Sequence, residues 1–254
     1  MVDDAEKFRA CCTMREAYGV PVVADATGDC SRRLPPASLV KMLTAMIFDE
    51  WRQQDRHATA QIVIAETDLC RGSGANLQSG DILSPEAILA DMMLESSNTA
   101  AMAAARAVSG NVAAFAEVMN RRAVELGMTA SHFTSPHGLD DPAMYSTARD
   151  LAVLALAASR VPGIAEVWHR PRAWFQIGGP NARKACFNST LRIWNVDGYL
   201  GGKTGTTRVS GYNLAAVAER RGQRVATVLL GAGSNRDRFC IGRARLDAAL
   251  SADV

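Results

Sequence analysis

The residue that most constrains this chain is Lys41. It lies inside a run with a helical period, in which Leu39, Leu43, Met46, Ile47 and Trp51 recur on one face between Ser38 and about Arg56. Pro35-Pro36 stops any element from running into that helix. The only lysines are Lys7, Lys41, Lys184 and Lys203; every other basic residue apart from the histidines is arginine. Arginine cannot lose its proton in a protein, whereas a buried lysine can. Residues three apart on a helix share a side, so Ser38 presents its hydroxyl beside the Lys41 amine.

That pair has a chemistry. A serine hydroxyl is a poor nucleophile until a neighbouring base takes its proton. A lysine serves as that base once burial or a second cation lowers its pKa. Lys203 is the candidate second cation, and it opens a short motif, Lys203-Thr204-Gly205. The N-terminal end of the helix adds backbone N–H groups and a positive dipole end, which suit an oxyanion formed in acyl transfer. Ser96-Ser97-Asn98 lies between the two motifs. Each motif alone is weak; the three in this order, the first on a helix and the last in a strand-like stretch, are much stronger.

Other classes of function fit less well. A net charge of +2 with scattered arginines leaves no stripe for nucleic acid. No apolar run reaches the roughly 18 residues that span a bilayer. The start, Met-Val-Asp-Asp-Ala-Glu-Lys, does not read as a secretory leader. The six cysteines, Cys11, Cys12, Cys30, Cys70, Cys186 and Cys240, show no Cys-x-x-Cys spacing and so no zinc site. There is no Gly-x-Ser-x-Gly elbow and no complete phosphate loop. His137, in His137-Gly-Leu-Asp140, reads as a structural loop residue, and His57, His132 and His169 are scattered. Trp168, Trp174 and Trp194 read as packing in or lining the sheet, with ligand stacking as the alternative.

The element order has two textures. Val20–Asp25 reads as a strand with a turn at Thr27-Gly28, and 61–65 as a short strand. Ser84-Pro85 starts a helix to about Leu94, which breaks at Ser96-Ser97-Asn98. Helices follow over 99–108, 112–126 and, after Thr147, 151–159. Beyond Pro162 the pattern turns strand-like: 173–177, 212–219 and 224–230, the last two joined as a hairpin through Arg220-Arg-Gly-Gln223. An amphipathic helix closes the chain over 235–250.

Four stretches resemble the serine-type D-alanyl-D-alanine carboxypeptidases, the low-molecular-mass penicillin-binding proteins. They are Pro36-Ala-Ser-Leu-Val-Lys-Met-Leu-Thr44; Met93-Leu-Glu-Ser-Ser-Asn98; Leu126 to Asp140 with Tyr145-Ser-Thr-Ala-Arg-Asp150; and Asn195-Val-Asp-Gly198 leading to Gly202-Lys-Thr-Gly-Thr-Thr207 and Gly211-Tyr-Asn213. The resemblance implies an α/β (α+β) fold of the β-lactamase/DD-peptidase type: an antiparallel sheet flanked by helices, with an inserted all-helical lobe. One catalytic domain over 1–254 is expected, its α/β lobe at about 1–65 and 163–254 and its helical lobe at about 66–162. It also implies roles. Ser38 is the acylated nucleophile, Lys41 its base and Ser96 a proton relay. Asn98, Lys203, Thr204, Gly205, Thr206, Thr207 and Arg208 bind substrate, and the backbone N–H groups of Ser38 and Thr206 form the oxyanion hole. The partners it implies are peptidoglycan stem peptides ending in D-Ala-D-Ala and β-lactams that acylate Ser38; no metal or organic cofactor enters. The implied location is periplasmic or otherwise extracytoplasmic.

The chain departs from the family pattern in four places. The segment between Gly28 and Pro35 is short, and Tyr199-Leu-Gly-Gly202 adds residues before Lys203. Phe187 stands where an arginine is expected, which leaves Arg208 as the candidate carboxylate ligand. Neither a β-rich C-terminal domain nor a membrane anchor is expected. Rival readings are a DD-endopeptidase or a β-lactamase on the same fold, or an inert peptidoglycan or β-lactam sensor. A β-lactamase needs a deacylating glutamate, and Glu95 is not in the expected loop.

Overall fold

The computed structural model describes residues 7–17, 19–54, 59–74, 76–193 and 195–251; His57, Trp194 and the end of the first helix near Arg56 lie outside the described residues. Two strands open it, β1 (Ala10–Ala17) and β2 (Val20–Gly28). They pair antiparallel from Ala10↔Gly28 to Ala17↔Val20. The hairpin therefore turns at Gly19, where φ is +79°, and not at Thr27-Gly28, which closes the second strand.

Next come α1 (Lys41–Arg52), the two-residue strands β3 (Ile62–Val63) and β4 (Ile82–Leu83), α2 (Pro85–Leu94), α3 (Asn98–Ser109), α4 (Val112–Glu125), α5 (Ala148–Ala158) and α6 (Pro162–Trp168). Side chains fix most of these helix starts, since the first backbone N–H groups of a helix have no partner within it. The hydroxyl of Ser84 accepts from Ala87 N at 3.2 Å, Ser97 from Ala100 N at 3.1 Å and Thr147 from Asp150 N at 3.0 Å; Asn111 Oδ1 accepts from Ala114 N at 2.9 Å. Between α2 and α3 the chain reverses at Ser96, whose φ is +63°. In α3, Ala100, Ala101, Ala103, Ala104 and Ala105 are all buried. Their small side chains let this helix pack closely against α1, α2 and α4.

The chain ends with β5 (Arg172–Ile177), β6 (Arg183–Asn188), β7 (Tyr199–Thr207), β8 (Gly211–Arg220), β9 (Gln223–Ala232) and α7 (Asn235–Ser251). The main sheet has the order β2-β1-β9-β8-β7, while β5 and β6 form a separate hairpin. Helices α5 and α7 both pack on the sheet. In β8 and β9, Ala215, Val217, Ala226, Val228 and Leu230 join the cluster shared with α1 to α5. Leu214, Ala216, Ala218, Val225 and Leu229 join the one shared with α7. The two faces of one antiparallel sheet thus feed two cores, following the two-residue period of a strand. The expected hairpin forms, with Arg221 (φ +53°) and Gly222 (φ +76°) as its two turn residues. No single described helix is long and apolar enough to cross a membrane. Strand β7 is left at the edge of the sheet, next to the turn that carries Ser38.

Candidate active site

Ser38 does not lie in the α-helix itself. Ala37–Val40 forms a 3-10 turn leading into α1, and Ala37 has φ +49°. In a 3-10 turn residues i and i+3 eclipse, so the expected Ser38–Lys41 contact is made there. Lys41 is fully buried. Its Nζ lies 2.8 Å from Ser38 Oγ, 2.8 Å from Asn98 Oδ1 and 2.7 Å from the His137 carbonyl. Two of these partners can only accept. A neutral amine has two N–H bonds to donate to them, and its remaining lone pair faces the serine hydroxyl.

Charge reinforces that arrangement. Burial lowers the Lys41 pKa from its ordinary value to about 7, against smaller upward pulls from Cys70 and Asp91. Asp91 is also buried, both carboxyl oxygens shut off from water. Burial pushes that carboxyl up to about 8, with the Ser97 side chain holding its pKa down against burial, so at neutral pH it is mostly uncharged and pulls little on Lys41. Lys203 is fully buried too, with Nζ 3.0 Å from the Thr204 carbonyl. Its pKa is lowered first by burial and then by Lys41 and Arg238.

The other motif residues line the same place. Asn98 is the first residue of α3; its Oδ1 is occupied by Lys41 and its Nδ2 donates to the Arg71 carbonyl at 2.8 Å. Its side chain thereby fixes the direction of the Lys41 amine. Ser96 Oγ is buried without a partner. Thr204 shares a 2.7 Å hydrogen bond with Thr190. At Gly205 a Cβ would sit 3.0 Å from Ser38 N and 3.1 Å from Ala37 Cβ, so β7 passes directly against the backbone of Ser38. Thr206 is exposed, and Thr207 Oγ1 donates to Asp140 Oδ1 at 2.5 Å. The inserted residues before Lys203 are absorbed by a bulge between Tyr199 and Gly201.

A second arginine lies nearer the strand than Arg208 does. Arg208 is exposed in the turn after β7. The guanidinium that reaches the strand belongs to Arg238, on the first turns of α7, with Nη1 2.8 Å from Thr206 Oγ1 and 3.3 Å from the Gly205 carbonyl. Its Nε is buried without a partner. Sequence reading also missed the His137 carbonyl, Gly138 and Asp91. The histidine ring is structural, as expected: Nδ1 accepts from Leu139 N at 3.1 Å, and burial holds its pKa down at about 4. Glu95 is taken up by Asn76 Nδ2 at 3.0 Å and Asn188 N at 3.1 Å.

Residues 24–234 match the D-alanyl-D-alanine carboxypeptidase family. The chain is 35% identical to D-alanyl-D-alanine carboxypeptidase DacC of Escherichia coli over 84% of its own length and 54% of that protein's. It is 33% identical to DacA of Haemophilus influenzae over 82% and 53%. It therefore spans about half the length of the curated relatives it matches. Among solved structures, D-alanyl-D-alanine carboxypeptidase DacD of Francisella tularensis superposes with a TM-score of 0.86 at 25% identity, covering 99% of this chain and 71% of that one. The Streptomyces K15 DD-transpeptidase shares the fold, with a TM-score of 0.83 at 23% identity over 96% of this chain and 98% of that one. The three motifs converge on one buried cluster within the matched region, and this chain belongs to the D-alanyl-D-alanine carboxypeptidase family.

Proposed function

We propose that this chain removes the terminal D-alanine from peptidoglycan stem peptides through an acyl-enzyme on Ser38, and that penicillin acylates the same hydroxyl. The observation that carries this reading is the Lys41 amine, buried and hydrogen-bonded so that its third direction faces Ser38 Oγ. In the first step Ser38 Oγ attacks the penultimate D-Ala carbonyl while its proton passes to Lys41 Nζ. The carbonyl oxygen becomes an oxyanion held by the backbone N–H groups of Ser38 and Thr206. Collapse breaks the C–N bond, and the leaving amine takes the proton back from Lys41, with the unpartnered Ser96 hydroxyl as relay. Water then attacks the ester, Lys41 again taking the proton; the acyl C–Oγ bond breaks, Lys41 returns that proton to Ser38 Oγ, and the shortened peptide leaves as a carboxylate.

The remaining residues bind. Lys203 and Thr204 line the cleft on the β7 side with an amine and a hydroxyl. Arg238, held at Thr206 with Nε unspent, is placed for the substrate's terminal carboxylate. Such a peptide lies in the cell wall, so the reaction is extracytoplasmic, in the periplasm of a cell with an outer membrane, and it bears on cell shape. Since Glu95 is held by Asn76 and Asn188, no glutamate from that motif serves rapid deacylation, and the penicilloyl ester is long-lived. The test is incubation with a labelled penicillin followed by mapping of the modified peptide, together with an assay of D-alanine release from a diacyl-D-Ala-D-Ala peptide. A stable adduct on Ser38 and free D-alanine are expected; an adduct elsewhere, or one that decays within seconds, contradicts the reading.

A further inference from the structure

The β5–β6 hairpin has two different faces. Ala173, Ile177 and Phe187 are buried, and Phe175 stacks on Phe187 with ring centroids 5.7 Å apart. This inner face packs on α2. The outer face carries Arg172, Trp174, Gln176, Lys184 and Asn188, all exposed. The register pairs Arg172 with Asn188 and Gln176 with Lys184 on either side of Trp174. At the centre of this face, opposite the half-buried Cys186, the Trp174 side chain is left 56% exposed, with Lys184 Nζ 5.3 Å from its ring centroid. Among the described residues it is the one aromatic ring in the set of exposed large hydrophobics, the others being Val and Leu.

The hairpin is also fastened to the catalytic cleft. Asn188 N donates to Glu95 Oε1 at 3.1 Å, and Thr190 N donates to the Leu94 carbonyl at 3.1 Å. Glu95 is the residue before Ser96. The outer face of β5–β6 is thus a rigid continuation of the wall that carries Ser96 and Asn98.

We propose that this face binds the glycan strand to which the stem peptide is attached. The proposal rests on the peptidoglycan reading above and extends it from the peptide to the sugar. A pyranose ring presents a flat array of C–H bonds that stacks on an indole, while its hydroxyl and N-acetyl groups need donors and acceptors around that contact. Gln176 and Asn188 supply amides on both sides of Trp174. Arg172 and Lys184 supply cations for the carboxylates of an acidic glycopeptide. When a stem peptide fills the cleft, the sugar joined to its N-terminal end has to lie beyond the cleft's rim, and the hairpin forms that rim on the Ser96 side.

The test uses the intact chain and two substrates, a D-Ala-D-Ala-terminated stem peptide alone and the same peptide on its N-acetylglucosaminyl-N-acetylmuramyl disaccharide. Trp174→Ala is expected to lower kcat/KM for the disaccharide-peptide by about three- to tenfold and to leave kcat/KM for the free peptide and the rate of penicillin acylation unchanged. Trp174→Phe, which keeps a ring, should retain most of the preference. An unchanged ratio between the two substrates in Trp174→Ala overturns the proposal. So does an equal loss on both, which marks a structural role. If the wild-type chain hydrolyses neither substrate, it is the catalytic reading that has failed. Binding of the peptide-free disaccharide, followed by ligand-observed NMR, then decides the glycan site alone: saturation transfer lost in Trp174→Ala supports it, and transfer that is absent or equal in both proteins overturns it.

Discussion

Lys41→Arg lowers the rate of Ser38 acylation by penicillin by about 10²–10⁴-fold while leaving the protein folded. The substitution keeps a cation-capable side chain in the same pocket. What it removes is the ability to be uncharged: burial lowers the lysine to about 7, whereas a guanidinium stays protonated. Arginine also has no lone pair for the Ser38 proton, although it can still donate to Asn98 Oδ1 and the His137 carbonyl. Burying a permanent charge also costs stability, so the rate is read on protein shown to be folded by circular dichroism, where a large loss separates the base from a merely structural cation. Near-normal acylation by Lys41→Arg would show that the proton goes elsewhere.

Gly138→Ala produces the second large effect, on stability and rate together. At this position φ is +81°, and a Cβ would lie 2.1 Å from the Ala37 carbonyl oxygen and 2.7 Å from Val40 Cγ1. Both neighbours belong to the turn that holds Ser38. The conformational strain and the overlap each cost on the order of 1–3 kcal/mol. A combined loss of about 3 kcal/mol corresponds to a fall in Tm of about 6–12 °C for a chain of this size. The turn must also move, which displaces Ser38 from Lys41 and shifts the neighbouring His137 carbonyl, so labelling slows as well. A thermal melt and a labelling time course on the same sample check this, and unchanged values in both would show that the loop at Gly138 does not brace the nucleophile.

Much of this architecture is legible in the sequence because it rests on local signals. Ser84-Pro85, Asn111 and Thr147 start their helices, and Arg220-Arg-Gly-Gln223 turns its hairpin. The elements that sequence reading misses lack such signals or carry conflicting ones. Strand β1, Ala-Cys-Cys-Thr-Met-Arg-Glu-Ala, shows no clean alternation because its neighbours bury it on both faces from Ala10 to Met14. Helix α6 begins with Pro162 at its first position, a helix-starting signal that reads as a stop when strand-like pieces follow. Strand β7 is readable only as the strand-like stretch around Lys203, because its three glycines are unfavourable for strand formation yet needed where the backbone packs closely; at Gly202 a Cβ would sit 2.4 Å from the Ala215 carbonyl.

Within the site, Ser38, Lys41, Ser96, Asn98 and Lys203 are readable because each sits in a short motif. Arg238 and Asp91 are not. Arg238 reaches Thr206 across 32 residues, and nothing in its own neighbourhood distinguishes it from the other arginines of α7. Asp91 looks like one more polar residue on a helix until packing buries it. Adjacency to Thr207 is what points to Arg208, but it is the distant Arg238, brought in by α7, that hydrogen-bonds the strand.

The central claim is that Lys41 works as an uncharged base, and the pH dependence of Ser38 acylation by penicillin tests it most directly. The reactive form is the neutral amine. Below its pKa the fraction in that form falls tenfold per pH unit, so the second-order acylation rate should rise with pH, bend near pH 7 and level off above it. A rate that is flat between about pH 5 and 9, or that keeps rising toward the ordinary lysine range near 10, would contradict the account.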